Sequence, residues 1–304
     1  MPESSRVSVI IPVFNRQRMI VECLDNVAQQ ARLPDVVVVV DDGSTDRTGD
    51  AVREWIDARP DTPRWHLLTL AENVGAAAAR NRGLAAAAES EFVAFLDSDD
   101  LWPADFLQRA EAVLAPDPSV VAVTADVRIQ QQDRPAKTRD LSAMNRQISE
   151  VLFRDAGIGS ATVLRRSAVA GVGGFPESIL TGHDLHLFCA LSALGSWRHL
   201  PGEPITKRHG VRPSGEEHHL AARYDDRLQR WAVVYESAID LHGERLGVGR
   251  RARARLIGAR WYRAGREARS RGDIPAARAC LRKAIRRRPL DLRPRMYLLG
   301  TYIA

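Results

Sequence analysis

VVVVVDDGSTD, residues 36–46, joins an apolar run of strand length to a polar turn. Five consecutive valines suit a strand buried on both faces, as in a parallel sheet covered by helices. VSVIIPVFN at 7–15 and FVAFLDSDD at 92–100 repeat this arrangement. Further strands are predicted at 66–70 and 120–125, and helices at 19–30, 47–58 and 76–88. This alternation predicts an α/β domain with a mostly parallel sheet.

Three polar motifs follow directly after apolar runs, at residues 12–15, 41–46 and 97–100. In an open parallel sheet, ligands bind in the crevice beyond the carboxyl ends of the strands. We therefore expect the three motifs to gather at one edge of the sheet and to form one binding site.

The motif Asp97-Ser98-Asp99-Asp100 places three carboxylates within four residues. Mg²⁺ and Mn²⁺ prefer oxygen ligands and often take one or two carboxylates together with substrate phosphates. The alternative is a helix cap before Pro103, which needs a single aspartate and leaves the other carboxylates unexplained. The motif predicts a site for a divalent cation and a phosphate-bearing ligand.

Two nearby segments are candidates for binding the rest of such a ligand. Asp42 could accept hydrogen bonds from a nucleobase or ribose, although helix capping by residues 44–46 partly explains its motif. Asn73 and Gly75 precede an alanine-rich helix, where Gly75 lets the backbone approach a ligand closely. Arg80 on that helix could pair with a phosphate, and a surface arginine is a nearly equal alternative.

Two further candidates lie in the second half of the chain, where residues 126–215 show a less regular pattern. Asp184 opens a predicted helix and shares its apolar face, so it is either a buried cap or a carboxylate aimed into a site. Residues 207–210 (KRHG) lie in a predicted loop at 207–215 that could close over a diphosphate, with His209 as a metal ligand. On the residues alone, a solvated basic loop is the favoured interpretation.

The composition indicates a globular protein with a sizeable core, because 45% of the 304 residues are hydrophobic and 27% are charged. The cysteines Cys23, Cys189 and Cys280 are far apart and predict a reducing compartment. A basic leader followed by an apolar run is missing at the N-terminus, and no apolar stretch reaches membrane-spanning length. We expect a cytoplasmic protein.

The charge is unevenly distributed. Residues 250–295 contain 17 Arg or Lys against three Asp or Glu, whereas the rest of the chain has 27 basic and 35 acidic residues. This basic segment could bind the anionic inner surface of a membrane, or another acidic partner. A solvated helical face is an equal alternative.

Seven motifs in order resemble glycosyltransferase family 2, whose inverting enzymes have the GT-A fold. They are VSVIIPVFNR, VVVVVDDGSTD, ENVGAAAARNRGL, FVAFLDSDDLWP, GVGGFPESIL, TGHDLHLF and TKRHG. The resemblance spans about residues 6–215. It implies a Rossmann-like sheet flanked by helices in a domain at 1–218, with a nucleotide-binding half at 1–105 and an acceptor-binding half at 106–218. A basic, all-helical extension follows at 219–304.

The resemblance also implies residue roles. Asp42 matches the aspartate that recognises the base, with Pro12 and Asn15 in the same pocket. Together with the candidates above, the predicted donor-binding residues are Pro12, Asn15, Asp42, Asn73, Gly75, Arg80, Asp97, Asp99 and Arg208. Asp99 would contact the ribose or the metal, and Asp99 or Asp100, with His209, would ligate Mn²⁺ or Mg²⁺. Asp184 matches the general base that deprotonates the acceptor hydroxyl. One departure is His183, which stands where the family often has glutamate.

The C-terminal segment resembles a single tetratricopeptide repeat. The positions that match its signature are Trp261, Gly265, Ala268, Gly272, Ala277, Leu281, Ala284 and Pro289. A single repeat cannot bury its own face, so we expect it to pack on the catalytic domain or to pair with a second copy of the chain. An ordinary helical hairpin predicts nearly the same structure.

The sequence thus predicts a metal-dependent inverting glycosyltransferase. It would move a sugar from a nucleoside-diphosphate sugar, UDP-sugar favoured, to a hydroxyl of a glycan, lipid-linked or small-molecule acceptor. The alternative is a non-catalytic sugar-nucleotide-binding or scaffold protein that acts through its helical C-terminal region. A dinucleotide-dependent oxidoreductase is excluded because the first strand leads into PVFNRQ, which lacks the glycine fingerprint. We expect no nucleic-acid partner.

Overall fold

A mixed β-sheet organises the chain. The computed structural model describes residues 6–59, 63–131, 134–145, 148, 152, 158–209 and 226–303. The strands are β1 Val7–Val13, β2 Val36–Asp41, β3 Arg64–Thr69, β4 Phe92–Phe95, β5 Asp100–Leu101, β6 Val120–Gln131, β7 Arg134–Arg139, β8 Thr162–Arg165 and β9 Ser196–His209. Within the described ranges they form one sheet in the order β3-β2-β1-β4-β8-β6-β9-β5, with β7 beside β6.

Helices cover this sheet and continue into the C-terminal region. The N-terminal helices are α1 Ile20–Ala28, α2 Thr48–Asp57, α3 Ala76–Ala86 and α4 Phe106–Leu114. They are followed by α5 Arg166–Gly171, α6 His183–Leu191, α7 Arg227–His242, α8 Arg250–Ser270, α9 Ile274–Arg287 and α10 Leu292–Ile303. The predicted α/β sheet flanked by helices, with a helical C-terminal region, is confirmed.

The strands that carry the polar motifs are neighbours. β1 pairs in parallel with β2 and with β4, and Val13 lies opposite Asp41 at the carboxyl ends. All four residues of β4 are buried, as are residues 37–41 of β2. This two-sided burial explains the continuous apolar runs. The polar residues that follow each run consequently emerge at one edge of the sheet.

Small residues bring α3 close to the sheet. Ala77 and Ala79 are buried, and a Cβ atom at Gly83 would collide with Ile10 of β1. The close approach explains why the helix is rich in alanine, since larger side chains would push it away. It also holds the start of α3 against the carboxyl ends of β1 and β2.

The region that the sequence predicted to be less regular contains long strands. β6 extends to Gln131 and β9 runs for 14 residues to His209, so that residues 207–209 belong to a strand and not to a loop. The apolar pattern is weak because β6 alternates between buried and exposed side chains beyond Ala125. The remainder of the predicted loop, residues 210–215, lies outside the described residues.

The C-terminal helices pack onto the sheet domain through α7, which contacts α6. Residues 243–249 separate α7 from α8. α8 and α9 form a hairpin with close contact, because a Cβ atom at Gly265 would lie 2.8 Å from Leu281 Cγ. Among the described helices, none is both long and apolar enough to span a membrane.

Candidate functional site

A cavity of about 360 Å³ opens at the carboxyl ends of β1, β2 and β4 and extends to α6 and α7. Side chains from all three predicted strand-end motifs reach its wall. The predicted site residues that line it are Pro12, Asp42, Asn73, Gly75, Arg80, Asp97, Asp99 and Asp184. The motifs, separated by up to about 170 residues in the chain, therefore share one cavity.

Asp42 fixes the loop between β3 and α3. Its Oδ1 accepts a hydrogen bond from the backbone N–H of Val74 at 2.8 Å, and its Oδ2 accepts one from Gly75 at 3.0 Å. Asn73 Nδ2 donates to the backbone carbonyl of Asp42 at 3.2 Å. Burial raises the pKa of Asp42, against the effect of the two N–H donors. These contacts create a rigid corner of the cavity from residues in two different loops.

The three aspartates of the acidic motif form a cluster in which carboxylate oxygens lie within 4.8 Å of one another. Asp97 and Asp99 line the cavity, whereas Asp100 is fully buried behind it. Burial raises the pKa of Asp99 and that of Asp100, the latter to about 6, and the neighbouring carboxylates add to both shifts. Oxygen ligands at this spacing suit a hard divalent cation.

Lys207 of β9 neutralises part of this cluster. Its Nζ lies 3.0 Å from Asp100 Oδ2 and 3.3 Å from Asp97 Oδ2. Burial alone would lower the pKa of Lys207, but the carboxylates outweigh it and raise that pKa above its usual value. The lysine therefore remains charged. The sequence did not predict this contact, because pairing of β5 with β9 places Lys207 opposite Asp100 and no local motif records that pairing.

Arg80 connects the acidic cluster to α6. Its Nη2 donates to Asp97 Oδ1 at 2.5 Å, and its Nη1 lies 2.8 Å from His183 Nε2. Because an arginine can only donate, His183 Nε2 accepts and the imidazole is neutral. Burial, followed by the charge of Arg80, lowers the pKa of His183 to about 4. Residue 183, which departs from the family pattern, thus helps to hold Arg80 against Asp97.

Asp184 faces the cavity from the first turn of α6. Gly182, which directly precedes α6, has φ +76°, a left-handed conformation that suits glycine. Asp184 is half-buried, and its Oδ1 accepts a hydrogen bond from the N–H of Leu185 at 3.0 Å. Of the two alternatives drawn from the sequence, buried cap or cavity residue, the structure supports the second.

The helical C-terminal region also contributes to the cavity. Arg227 and Trp231 of α7 line it beside α6. The Trp231 ring packs against Gly182, where an added Cβ atom would lie 2.9 Å from Cζ3. Neither residue belongs to a recognisable motif, and sequence reasoning missed both. They follow Asp184 by more than 40 positions, and the contact of α7 with α6 brings them together.

Some predicted site residues do not reach the cavity wall. Asn15 instead accepts a hydrogen bond from the N–H of Thr45 at 2.8 Å. Arg208 donates to the backbone carbonyl of Asp99 and to Glu22 on α1. Asp100 lies behind the cavity, as described above. The side chain of His209 lies outside the described residues.

The acidic cluster and the loop corner held by Asp42 lie at the carboxyl ends of parallel strands, which is where open α/β sheets bind their ligands. The sequence profile described as "Glycosyl transferase family 2" matches residues 8–170. This match covers more than half of the chain. The chain therefore belongs to glycosyltransferase family 2.

Curated relatives match over parts of their length. The putative teichuronic acid biosynthesis glycosyltransferase TuaG of Bacillus subtilis is 41% identical over 105 residues, which are 34% of this chain and 39% of TuaG. An uncharacterised glycosyltransferase of Rickettsia bellii is 26% identical over 189 residues, which are 62% of this chain and 26% of that protein. The chain thus spans well under half the length of these relatives.

Solved structures share the fold over nearly the whole chain. TarS 1–349 of S. aureus, in complex with UDP-GlcNAc, has a TM-score of 0.68 at 20% identity and covers 98% of this chain and 89% of its own. The mannosyltransferase PcManGT of Pyrobaculum calidifontis, in complex with GDP-Man and Mn²⁺, has a TM-score of 0.59 at 26% identity. It covers 99% of this chain and 87% of its own. The resemblance includes the helical C-terminal region.

Proposed function

We propose that this protein transfers a sugar from a nucleoside-diphosphate sugar to an acceptor hydroxyl, with inversion at the anomeric carbon. The observation that carries the proposal is the single cavity that brings together Asp42, the acidic cluster and Asp184. The first two suit a nucleotide with its phosphates, and the third supplies a carboxylate able to accept a proton. Membership of glycosyltransferase family 2 supports the same reaction.

The donor would lie along the strand ends. Asp42 and Pro12 would contact the base and ribose, and Arg80 would face the diphosphate beside Asp97. A UDP-sugar is the first donor to test, since TarS was solved with UDP-GlcNAc. PcManGT was solved with GDP-Man, so a GDP-sugar is the second.

Asp99, which lies in one cluster with Asp97 and Asp100, would hold Mn²⁺ or Mg²⁺. Asp99 lines the cavity, whereas one oxygen of Asp100 is bound to Lys207 and the other accepts the N–H of Arg208 at 3.3 Å. When bound, the cation would neutralise charge on the departing diphosphate. The ion pair of Lys207 with Asp100 holds the end of the turn that carries Asp99.

Asp184 would take the proton of the acceptor hydroxyl. The acceptor oxygen then attacks the anomeric carbon in one displacement, and the nucleoside diphosphate leaves from the opposite face. Trp231 offers a flat apolar surface beside Asp184 against which a sugar ring can pack. The similarity to TuaG supports an acceptor in cell-surface polysaccharide synthesis. We also propose that residues 219–304 form a tetratricopeptide-like region that completes this side of the site.

The test compares Asp99→Asn with Asp184→Asn. Both variants should lose sugar transfer by about 10²–10⁴-fold with Mn²⁺ and a UDP- or GDP-sugar, assayed as release of the nucleoside diphosphate. Only Asp99→Asn should weaken Mn²⁺-dependent binding of the nucleoside diphosphate, measured by calorimetry. Asp57→Asn on the exposed side of α2 is the matched control and should change neither quantity.

Retention of full turnover in Asp184→Asn would rule out this residue as the base. A wild-type protein that binds nucleoside diphosphates but neither transfers nor hydrolyses any tested donor would favour the non-catalytic binding or scaffold alternative. In that case only Asp99→Asn would differ from the wild type, and only in binding.

A further inference from the structure

The last helix presents an apolar face to solvent. Leu292, Met296, Leu299 and Tyr302 of α10 follow one another at helical spacing and are 55–69% exposed. The opposite face of α10 packs inward, with Pro294 and Thr301 buried. Leu290, just before the helix, is 94% exposed. Side chains of this size on one contiguous face mark an interaction surface. We call this surface the α10 face and define it by these five exposed apolar residues.

Arginines surround the α10 face. Arg269 donates to the carbonyl of Gly300, Arg278 donates to the carbonyl of Thr301, and Arg282 donates to the hydroxyl of Tyr302. α10 itself carries two more arginines, at positions 293 and 295. The nearest acidic residue, at position 291, is bound to arginines 288 and 293. The rim of the apolar face is therefore strongly cationic.

We propose that the α10 face docks on an anionic lipid bilayer. Apolar side chains on one helix face, flanked by arginines and a tyrosine, are suited to lie at the boundary between lipid headgroups and acyl chains. The arginines would bind lipid phosphates, which provide the complementary charge. Two copies of this chain joined through the same face would bring two cationic rims together, so that charge repulsion opposes a homodimer there.

This inference is independent of the proposed sugar transfer, because it uses none of the cavity residues. It also specifies which arginines of the basic segment would contact the membrane. Of the 17 basic residues between positions 250 and 295, those that border α10 are the ones placed to act together with exposed apolar groups. A membrane contact here would fix the orientation of the whole chain relative to the bilayer.

Co-sedimentation of the full chain with lipid vesicles tests the inference. Vesicles of phosphatidylcholine with about 30% phosphatidylglycerol should bind the wild type, and pure phosphatidylcholine should bind it at least about tenfold more weakly. Raising the salt from about 50 mM to about 300 mM should weaken the binding. Met296→Glu/Leu299→Glu should weaken it by about tenfold or more, because two inserted side chains are lost and two negative charges are added.

Leu241→Glu is the matched control, since Leu241 on α7 is equally exposed and lies outside the α10 face. It should bind like the wild type. Met296→Ser/Leu299→Ser removes the same apolar groups without added charge and serves if the glutamate variant does not fold, as judged by circular dichroism. Absence of wild-type binding to the anionic vesicles, or equal binding by all variants, would overturn the proposal. A dimer in light scattering that the serine variant converts to monomer, without vesicle binding, would also overturn it in favour of a second copy.

Discussion

The two walls of the cavity are stabilised in different ways. The strand-end wall is formed at the carboxyl ends of β1, β2 and β4. There, charged groups pair with one another or with backbone N–H groups, as in the Asp97–Arg80 and Asp100–Lys207 contacts. On the helix wall, formed by α6 and α7, Trp231 packs against Gly182, two positions before Asp184. The first wall is a network of buried charges, and the second is a contact between two helices.

This difference predicts different responses to substitution. Removing one charge from the strand-end wall leaves another charge buried without its partner, which is costly in the low-dielectric interior. A change of packing on the helix wall moves a helix by a fraction of its width and affects the geometry of the chemical step more than stability. Three experiments compare the walls, in order of decreasing effect.

Lys207→Met should have the largest effect. It leaves Asp100 fully buried without its cation, and we expect the free energy of unfolding to fall by about 3–5 kcal/mol. Asp100→Asn/Lys207→Met removes both charges and should recover at least half of the loss. Urea unfolding measures both quantities. Arg6→Met, which breaks an exposed pair with Glu89, should change stability by less than about 1 kcal/mol.

If Lys207→Met unfolds like the wild type, or if the double variant is no more stable than the single one, Lys207 and Asp100 are not coupled. The strand-end wall would then depend on packing, as the helix wall does.

His183, which joins the walls, should make stability depend on pH. Its pKa is about 4 in the folded chain against 6.5 in the unfolded chain. The unfolded chain therefore binds the proton first as the pH falls, so the contribution is complete above about pH 6.5 and is lost toward pH 4, by about 3 kcal/mol in total. His183→Gln keeps an acceptor for Arg80 and has no proton to bind. The difference in unfolding free energy between wild type and variant should shrink or change sign as the pH falls from about 7 to about 5.

The contribution of Asp100 to stability depends on pH in the opposite direction, because the pKa of Asp100 is raised to about 6 in the folded chain. That contribution is lost as the pH rises through about 6. It is present in both proteins and cancels in the comparison. A difference that stays constant with pH would show that burial and the charge of Arg80 do not keep His183 neutral.

The strand-end wall could be predicted from the sequence, and the helix wall only in part. Asp42, Asp97 and Asp99 each follow an apolar run, and parallel strands bring such positions to one edge. The strands of this half are recognisable because they are buried on both faces. The fold class and the convergence of the three motifs follow from that pattern.

The remaining features depend on contacts between distant segments. Lys207 reaches the acidic cluster because β9 pairs with β5 more than 100 positions earlier in the chain, which places Lys207 opposite Asp100. Trp231 reaches the cavity because α7 packs on α6. Local propensity does not record either contact, so the sequence placed Lys207 in a loop and left Trp231 unassigned.

Gly182→Ala tests the helix wall and should have the smallest effect on stability. Gly182 has φ +76°, and an added Cβ atom would lie 2.9 Å from Trp231 and 3.2 Å from Val234. Gly173→Ala is a matched control, because Gly173 has φ +81° and no heavy atom within 4 Å of an added Cβ. We expect the control to lose about 1–2 kcal/mol from backbone strain alone, and Gly182→Ala to lose about 1 kcal/mol more from overpacking.

The two glycine variants should also differ in turnover. Gly182→Ala should displace the start of α6 and with it Asp184, so that turnover at saturating donor falls by about tenfold while nucleotide affinity is unchanged. Gly173→Ala should leave both quantities near wild type. Adding Trp231→Leu to Gly182→Ala removes the ring that the methyl group meets and should restore part of the stability. Equal turnover in the two glycine variants would mean that the Trp231 contact does not position Asp184, and that the helix wall, like the strand-end wall, is fixed by its polar groups.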